Sequence, residues 1–173
     1  MGFMTVRSRT RSKKITWVAV SGGFDPIHIG HVRLLKAARK LGNKLVVILN
    51  NDNWLRDKKG FAFMPEDERI ELLKSFPFVD RVVLTDHVPG DTDRSVSRVL
   101  RKIRPAIFAN GGDRDKHDSA KRTSSLSEDA RACFDLKIRM VFNVGKGGKI
   151  QSSSWLVQNA FTLAGKSKER QRK

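Results

Sequence analysis

The 173-residue chain has one cysteine, Cys133. A single thiol closes no intrachain disulfide and builds no cysteine-rich zinc site, which agrees with a reducing, cytoplasmic setting. Cys133 reads as a small apolar residue of a helix over 126–134, not as a nucleophile. Apolar runs are short, and none approaches the ~20 residues that a membrane-spanning helix needs. Residues 1–14 lack the apolar core of an export signal. Met1-Gly2 opens as a myristoylation signal does, but Val6 stands where Ser or Thr is wanted. No internal repeat is present. Acids are scarce, 18 against 35 Lys and Arg, for a formal charge of +17. Residues 1–14 carry +5 and residues 165–173 carry +4, leaving +8 on 15–164. The expected organisation is one domain over 15–164 between two flexible basic tails, 1–14 and 165–173. A basic folded part attracts nucleotides, phosphorylated metabolites or nucleic acid.

What is present alternates between two periods. Strands are expected at 15–21, 44–49, 81–84, 106–109 and 138–144. The run Lys44-Leu-Val-Val-Ile-Leu49 is apolar almost throughout, as in a parallel strand covered on both faces. Between them, Val32, Leu34, Leu35, Ala38 and Leu41 have helical spacing, and Gly42-Asn43 ends that helix. Pro65 followed by Glu66, Asp67 and Glu68 opens another, proline at the first position and acids at the positive end of the dipole. Helices are also expected over 92–103 and 155–164. Residues 50–64 read as a polar loop, 115–127 as a second, and Ser125 with Glu128 as a capping box. Five strands alternating with helices predict an α/β fold, a doubly wound Rossmann-like parallel sheet with helices on both faces and ligands at the carboxyl ends of the strands.

Three segments suited to phosphate fall at such ends. After the first strand comes Gly22-Gly23-Phe24-Asp25-Pro-Ile-His28-Ile-Gly30-His31. Glycines let backbone N–H groups approach an anion, and a helix start adds partial positive charge. His28 and His31, three apart, share one helix face. After the fourth strand comes Gly111-Gly112-Asp113, and after the fifth Ser152-Ser153-Ser154 at a helix start. Lys58 and Lys59 stand in the loop before Pro65, and Arg69 lies among Glu66, Asp67 and Glu71.

On Gly23-Phe24-Asp25 with His28-Ile-Gly30-His31, Lys59-Gly60 before Pro65 to Arg69, Gly111-Gly112-Asp113 and the triple serine, the chain resembles the cytidylyltransferase-like nucleotidyltransferases over roughly 15–160. Within them it looks most like the heptose-phosphate adenylyltransferase domain and glycerol-3-phosphate cytidylyltransferase. The resemblance implies transfer of a nucleoside monophosphate from a triphosphate to a sugar phosphate or alcohol phosphate, with pyrophosphate released. It implies that His28 and His31 donate hydrogen bonds to the triphosphate and that Gly30 keeps the helix close to sheet and nucleotide. Lys59, or Lys58 in its place, would reach phosphates from the loop. Gly22, Gly23, Phe24 and Asp25 would border the nucleotide, Gly111, Gly112 and Asp113 its base and ribose, and the three serines its phosphates. Mg²⁺ would arrive with the triphosphate, and a homodimer is expected on resemblance alone. The Arg-Thr pair that glycerol-phosphate cytidylyltransferases carry before the serine-rich segment is replaced by Gly147-Gly148, which favours ATP over CTP.

Several residues have a plainer reading. Asp25 either caps its turn or touches ligand, and Arg69 either forms a structural ion pair or contacts substrate. His87 and His117 are expected on the surface or in loops. Trp17, Trp54 and Trp155 are expected to pack, with Trp54 the one placed to line an acceptor pocket. The alternative function is a nucleic-acid-binding protein on the same scaffold, held through the basic tails. No aromatic-rich RNA-recognition strand or zinc finger motif supports it.

Overall fold

The computed structural model describes residues 14–111, 125–145 and 152–170. Five strands form one sheet: β1 (Trp17–Gly22), β2 (Lys44–Leu49), β3 (Arg81–Leu84), β4 (Ile107–Ala109) and β5 (Arg139–Val141). All are parallel, in the order β3-β2-β1-β4-β5. The chain runs outward from β1 to one edge, then returns past β1 to build the other half. The order therefore reverses between β1 and β4, and in such sheets the crevice at that reversal takes the ligand.

The helices are α1 (Ile29–Arg39), α2 (Asp52–Lys59), α3 (Glu66–Lys74), α4 (Ser97–Ile103), α5 (Ser125–Asp135) and α6 (Ser153–Arg170). Strand side chains alternate between faces, and each face has its own core. Val18, Val20, Leu45, Val47, Leu49, Ile107 and Ala109 pack with Leu35 and Ala38 of α1 and Leu73 of α3. Ala19, Val46, Ile48 and Phe108 pack with Val99 and Leu100 of α4 and with Leu126 and Cys133 of α5. This is the expected doubly wound α/β sheet. Truncating a fully buried Leu35 or Leu100 to Ala would cost about 2–5 kcal/mol.

Three local readings change. Residues 50–64 are not a loop throughout. Asn51 caps α2, its side-chain oxygen accepting from Trp54 N–H at 3.0 Å, and Gly60 closes the helix at φ 85°. The helix expected over 92–103 shrinks to α4, because Asp91, Asp93 and Ser95 hold the preceding backbone in tight turns. α6 begins at Ser153 and continues to Arg170, past the expected end at 164.

Trp155 lies elsewhere than expected, and His87 is in a loop as expected but not at the surface. His87 is buried, its Nε2–H donating to the Ser95 carbonyl at 3.1 Å. Trp155 is exposed. Trp54 packs as expected, with its Nε1–H on the Arg94 carbonyl at 2.9 Å, while His117 lies outside the described residues. Cys133 is buried, and burial, with Asp129 adding, pushes its thiol up to about 12.

Candidate active site

The site is built on the turn from β1 into α1. His28 is the N-cap of α1. Its Nδ1 accepts from Gly30 N–H at 3.1 Å. Three residues on, Nδ1 of His31 accepts from His28 N–H at 3.3 Å. The two imidazoles thus form a capping box in which side chains satisfy N–H groups at the helix start. Their rings stack at 3.8 Å between centroids and 21° between planes.

This geometry fixes the chemistry. A nitrogen that accepts from a backbone N–H carries no proton, so in each neutral ring the proton sits on Nε2. Burial, with His28 and then Lys59 adding, holds His31 down at about 3, and burial also lowers His28. Near neutral pH the pair is therefore two uncharged imidazoles, each with Nδ1 held by a backbone N–H and its Nε2–H left as the donor.

Gly30 serves this arrangement differently from expectation. A Cβ there would lie 2.9 Å from Cε1 of His28. The glycine makes room for the imidazole, and among the described residues no atom outside His28, its chain neighbours and its own helix backbone lies within 4 Å of that Cβ position. A Cβ on Gly23 would meet Leu55 at 2.9 Å, one on Gly22 would meet the Phe24 ring at 3.1 Å, and one on Gly111 would meet Leu34 at 2.8 Å. These three pack against protein. Phe24 is buried in the core and its ring lies 4.8 Å from that of His31. It supports the imidazole from behind.

Asp25 resolves into a structural role. The residue is 1% exposed, and its carboxylate accepts from Phe63 N–H at 2.9 Å and Met64 N–H at 2.7 Å. It pins the segment between α2 and α3 to the His28 turn. Arg69 is likewise held by protein groups. Fully buried, it donates to the carbonyls of Met64 (3.0 Å), Gly23 (2.7 Å) and Asn50 (2.8 Å) and to Asp52 at 2.6 Å. The ion pair expected with acids on its own helix forms instead with Asp52, at the start of the helix that sequence reading missed.

Lys59, in the last turn of α2, donates to the Asp25 carbonyl at 3.2 Å. Burial lowers its ammonium from the ordinary value, opposed by Asp25 and assisted by Arg69. Lys58 lies over the Trp54 ring, 4.5 Å from its centroid. From the other end of the chain, Ser153 Oγ donates to the Pro26 carbonyl at 3.0 Å. The first and last motifs therefore meet. Ser152 caps α6, its Oγ accepting from Trp155 N–H at 3.1 Å, and Ser154 stays exposed. Gly112 and Asp113 lie outside the described residues. Two asparagines stand at the crevice, Asn110 opening the expected phosphate-suited segment 110–113 and Asn50 read only as the start of a polar loop. Asn50 follows β2 and Asn110 follows β4; both are buried, and among the described residues Asn50 Oδ1 and Asn110 Nδ2 have no hydrogen-bond partner. The signal for Asn50 was a polar residue directly after an apolar strand.

Among the described residues, no group of three or more His, Cys, Asp or Glu side chains gathers to hold a metal ion. No described helix is long and apolar enough to cross a membrane.

A doubly wound sheet with paired imidazoles at its reversal point defines a nucleotide-handling α/β domain. The chain belongs to the cytidylyltransferase-like family, whose profile matches residues 19–146. It is 35% identical over 99 residues to an FAD synthase of Pyrococcus abyssi, covering 57% of this chain and 64% of that protein. It is 40% identical over 108 residues to the bifunctional protein HldE of Streptomyces coelicolor, covering 61% of this chain but 22% of that one. The chain thus spans less than two thirds of these relatives. Among solved structures it is similar to a lipopolysaccharide core biosynthesis protein of Thermoplasma volcanium, with TM-score 0.60 and 26% identity, over 78% of this chain and all of the other.

Proposed function

We propose that this protein is an adenylyltransferase: it transfers AMP from ATP to the phosphate of a small phosphorylated acceptor and releases pyrophosphate. One observation carries the reading. Two neutral imidazoles present Nε2–H donors beside Lys59 and beside the Ser153 end of α6. An acceptor phosphate oxygen attacks the α-phosphorus, a new P–O bond forms, and the bond to the β-phosphate oxygen breaks with its electrons leaving on pyrophosphate. Negative charge builds on the oxygens around the α-phosphorus, where fixed hydrogen-bond donors help most. His28 and His31 supply those donors without reorganising, because their other nitrogens are held by backbone. Lys59 brings positive charge to the same anion, and the start of α6 faces it with unsatisfied N–H groups.

The residues fit a magnesium ion that is carried by the triphosphate. Both oxygens of Asp25 are occupied by backbone N–H groups, and Mg²⁺ in such sites keeps mostly phosphate and water ligands. When bound, the ion neutralises charge on the triphosphate. ATP is favoured over CTP by the resemblance to heptose-phosphate adenylyltransferase and by the similarity to a protein that makes FAD, an adenine dinucleotide. The abundant ATP of a cytoplasmic setting accords with this reading.

The test is pyrophosphate release with each of ATP and CTP against a panel of phosphate esters. Release with ATP is expected, and His28→Ala and His31→Ala should each lower kcat by about 10²–10³, the usual loss of such a donor. Unimpaired kcat in both variants would overturn the mechanism.

A further inference from the structure

From Pro26 to Asn51 the sequence holds five Lys and Arg and not one acid. Two of the five, Arg39 and Lys44, are held by Asp80 at 3.5 and 2.6 Å. The other three, Arg33, Lys36 and Lys40, stand exposed on the outer face of α1, Lys40 as its C-cap. Among the described residues none of these three makes an ion pair. We propose that this face binds the phosphate backbone of single-stranded RNA, a function separate from transfer at the crevice.

Placement comes first. Spacings of three and four residues align the cations along one side of the helix, over about 10 Å of its axis. Like charges so placed repel one another and contribute nothing to the fold; a polyanion relieves that repulsion. Both ends of the row meet further cationic sequence. Beyond Lys40, Asn43 Nδ2 donates to the Lys14 carbonyl at 2.8 Å, so the N-terminal segment joins the body here. The sequence before Lys14 carries Arg7, Arg9, Arg11 and Lys13 without an acid. At the other end, a Cβ on Gly145 would lie 3.4 Å from the Leu34 backbone and 3.7 Å from the Arg33 carbonyl carbon. The sequence continues from that glycine as Lys146-Gly-Gly-Lys149. A small phosphate ester needs a pocket and one or two cations. A long open row of them fits a chain of phosphates.

The neighbouring side chains then select the polyanion. Between Arg33 and Lys40 the exposed positions are these three cations alone. A helix that lies on a membrane also presents bulky apolar side chains to the lipid, and this face has none. Lys36 Nζ lies 5.7 Å from the centroid of the Phe78 ring, which stacks on Phe76 at 5.3 Å and 13°. A phosphate that draws Lys36 away from Phe78 uncovers a phenyl face, on which a base can stack. A duplex keeps its base faces inside. RNA is recognised chiefly through unpaired bases laid on aromatic rings, so an unpaired RNA strand satisfies both the cations and the ring.

The probe is a fluorescein-labelled, unstructured RNA of about 20 nucleotides, titrated with the full chain and followed by anisotropy from about 50 to about 200 mM KCl. Combining Arg33→Gln, Lys36→Gln and Lys40→Gln should weaken binding about tenfold or more and flatten the plot of log K against log salt by about 2, at about 0.7 per lost phosphate contact. Combining Arg101→Gln, Lys102→Gln and Arg131→Gln removes the same charge from α4 and α5 on the other face of the sheet, where the partners are Asp135, Asp86 and Glu128. That variant should bind within about twofold of the parent with its slope unchanged. Both should keep the urea midpoint and pyrophosphate release. If the α1 variant loses stability, Lys40→Gln alone carries the test, with a slope change of about 0.7. Equal losses in the two triple variants would mean that net charge alone acts, and an unchanged slope in the α1 variant would mean that the terminal segments act without it. Either result overturns the proposal, as does tighter binding of a duplex of the same length, or binding of phosphatidylserine vesicles without binding of RNA. Failure of pyrophosphate release from the parent chain would overturn the transfer reading and leave RNA binding by α1 in place.

Discussion

Arg69 offers the sharpest test of how the site is held. Its guanidinium is wholly buried and bonds three main-chain carbonyls, from Gly23, Asn50 and Met64, besides Asp52. Those carbonyls follow β1, follow β2 and precede α3, so a single side chain joins three crevice segments. Methionine at this position fills similar volume but donates nothing. Three carbonyls lose a donor, each at about 1–3 kcal/mol if no water replaces it, and Asp52 loses its partner. Asp52 keeps 16% exposure and a second contact to Arg56 at 3.4 Å, so its charge stays partly solvated. Breaking one side of a buried pair costs about 3–5 kcal/mol, and we expect Arg69→Met to fall there. Urea unfolding followed by the fluorescence of buried Trp54 measures it. Adding Asp52→Asn should restore about 1 kcal/mol, since the stranded charge is removed while the carbonyls stay bare. A loss under 1 kcal/mol for Arg69→Met, or no recovery in the double variant, would refute the argument.

Three further outcomes follow from the geometry. His31 is held at about 3 in the folded chain against 6.5 in the unfolded chain, so between those values the unfolded state binds the extra proton. Stability should fall as pH drops through that window, by up to about 1.4 kcal/mol per pH unit, and urea midpoints at pH 4–6 should lose this slope in His31→Gln. Gly30→Ala should leave the urea midpoint nearly unchanged, helix propensity offsetting the contact, yet lower kcat by at least tenfold because the methyl group displaces the His28 ring. Cys133, buried with its thiol pushed up to about 12, should resist a thiol reagent at pH 8 and react fully once urea unfolds the chain.

The strands were legible because burial on both faces writes itself as an unbroken apolar run, as in Leu45–Leu49. The paired histidines were legible because glycine, imidazole spacing and a helix start coincide. α2 was not, since only Trp54 and Leu55 of its eight residues are buried and its other positions are charged or polar; Asn51 and Gly60, its two caps, were the available signal. Arg69 was misassigned because a local pattern of acids suggested partners on its own helix, whereas its ligands lie 5 to 46 residues away. Such contacts depend on tertiary closure, which spacing along the chain does not encode. The loop position of His87 was legible but its burial was not, for the same reason: it is made by the Ser95 carbonyl, eight residues on.

The hydrogen bond from Ser153 to Pro26 spans 127 residues. During synthesis, Pro26 leaves the ribosome long before Ser153, and β1 must await β4 before it has both neighbours in the sheet. The imidazole pair, capped within its own helix turn, is ready early; the hydroxyl that joins it follows 127 residues behind Pro26. Nascent chains stopped before α6 would therefore display the histidines on an unfinished crevice, and competence for transfer would appear only as α6 docks.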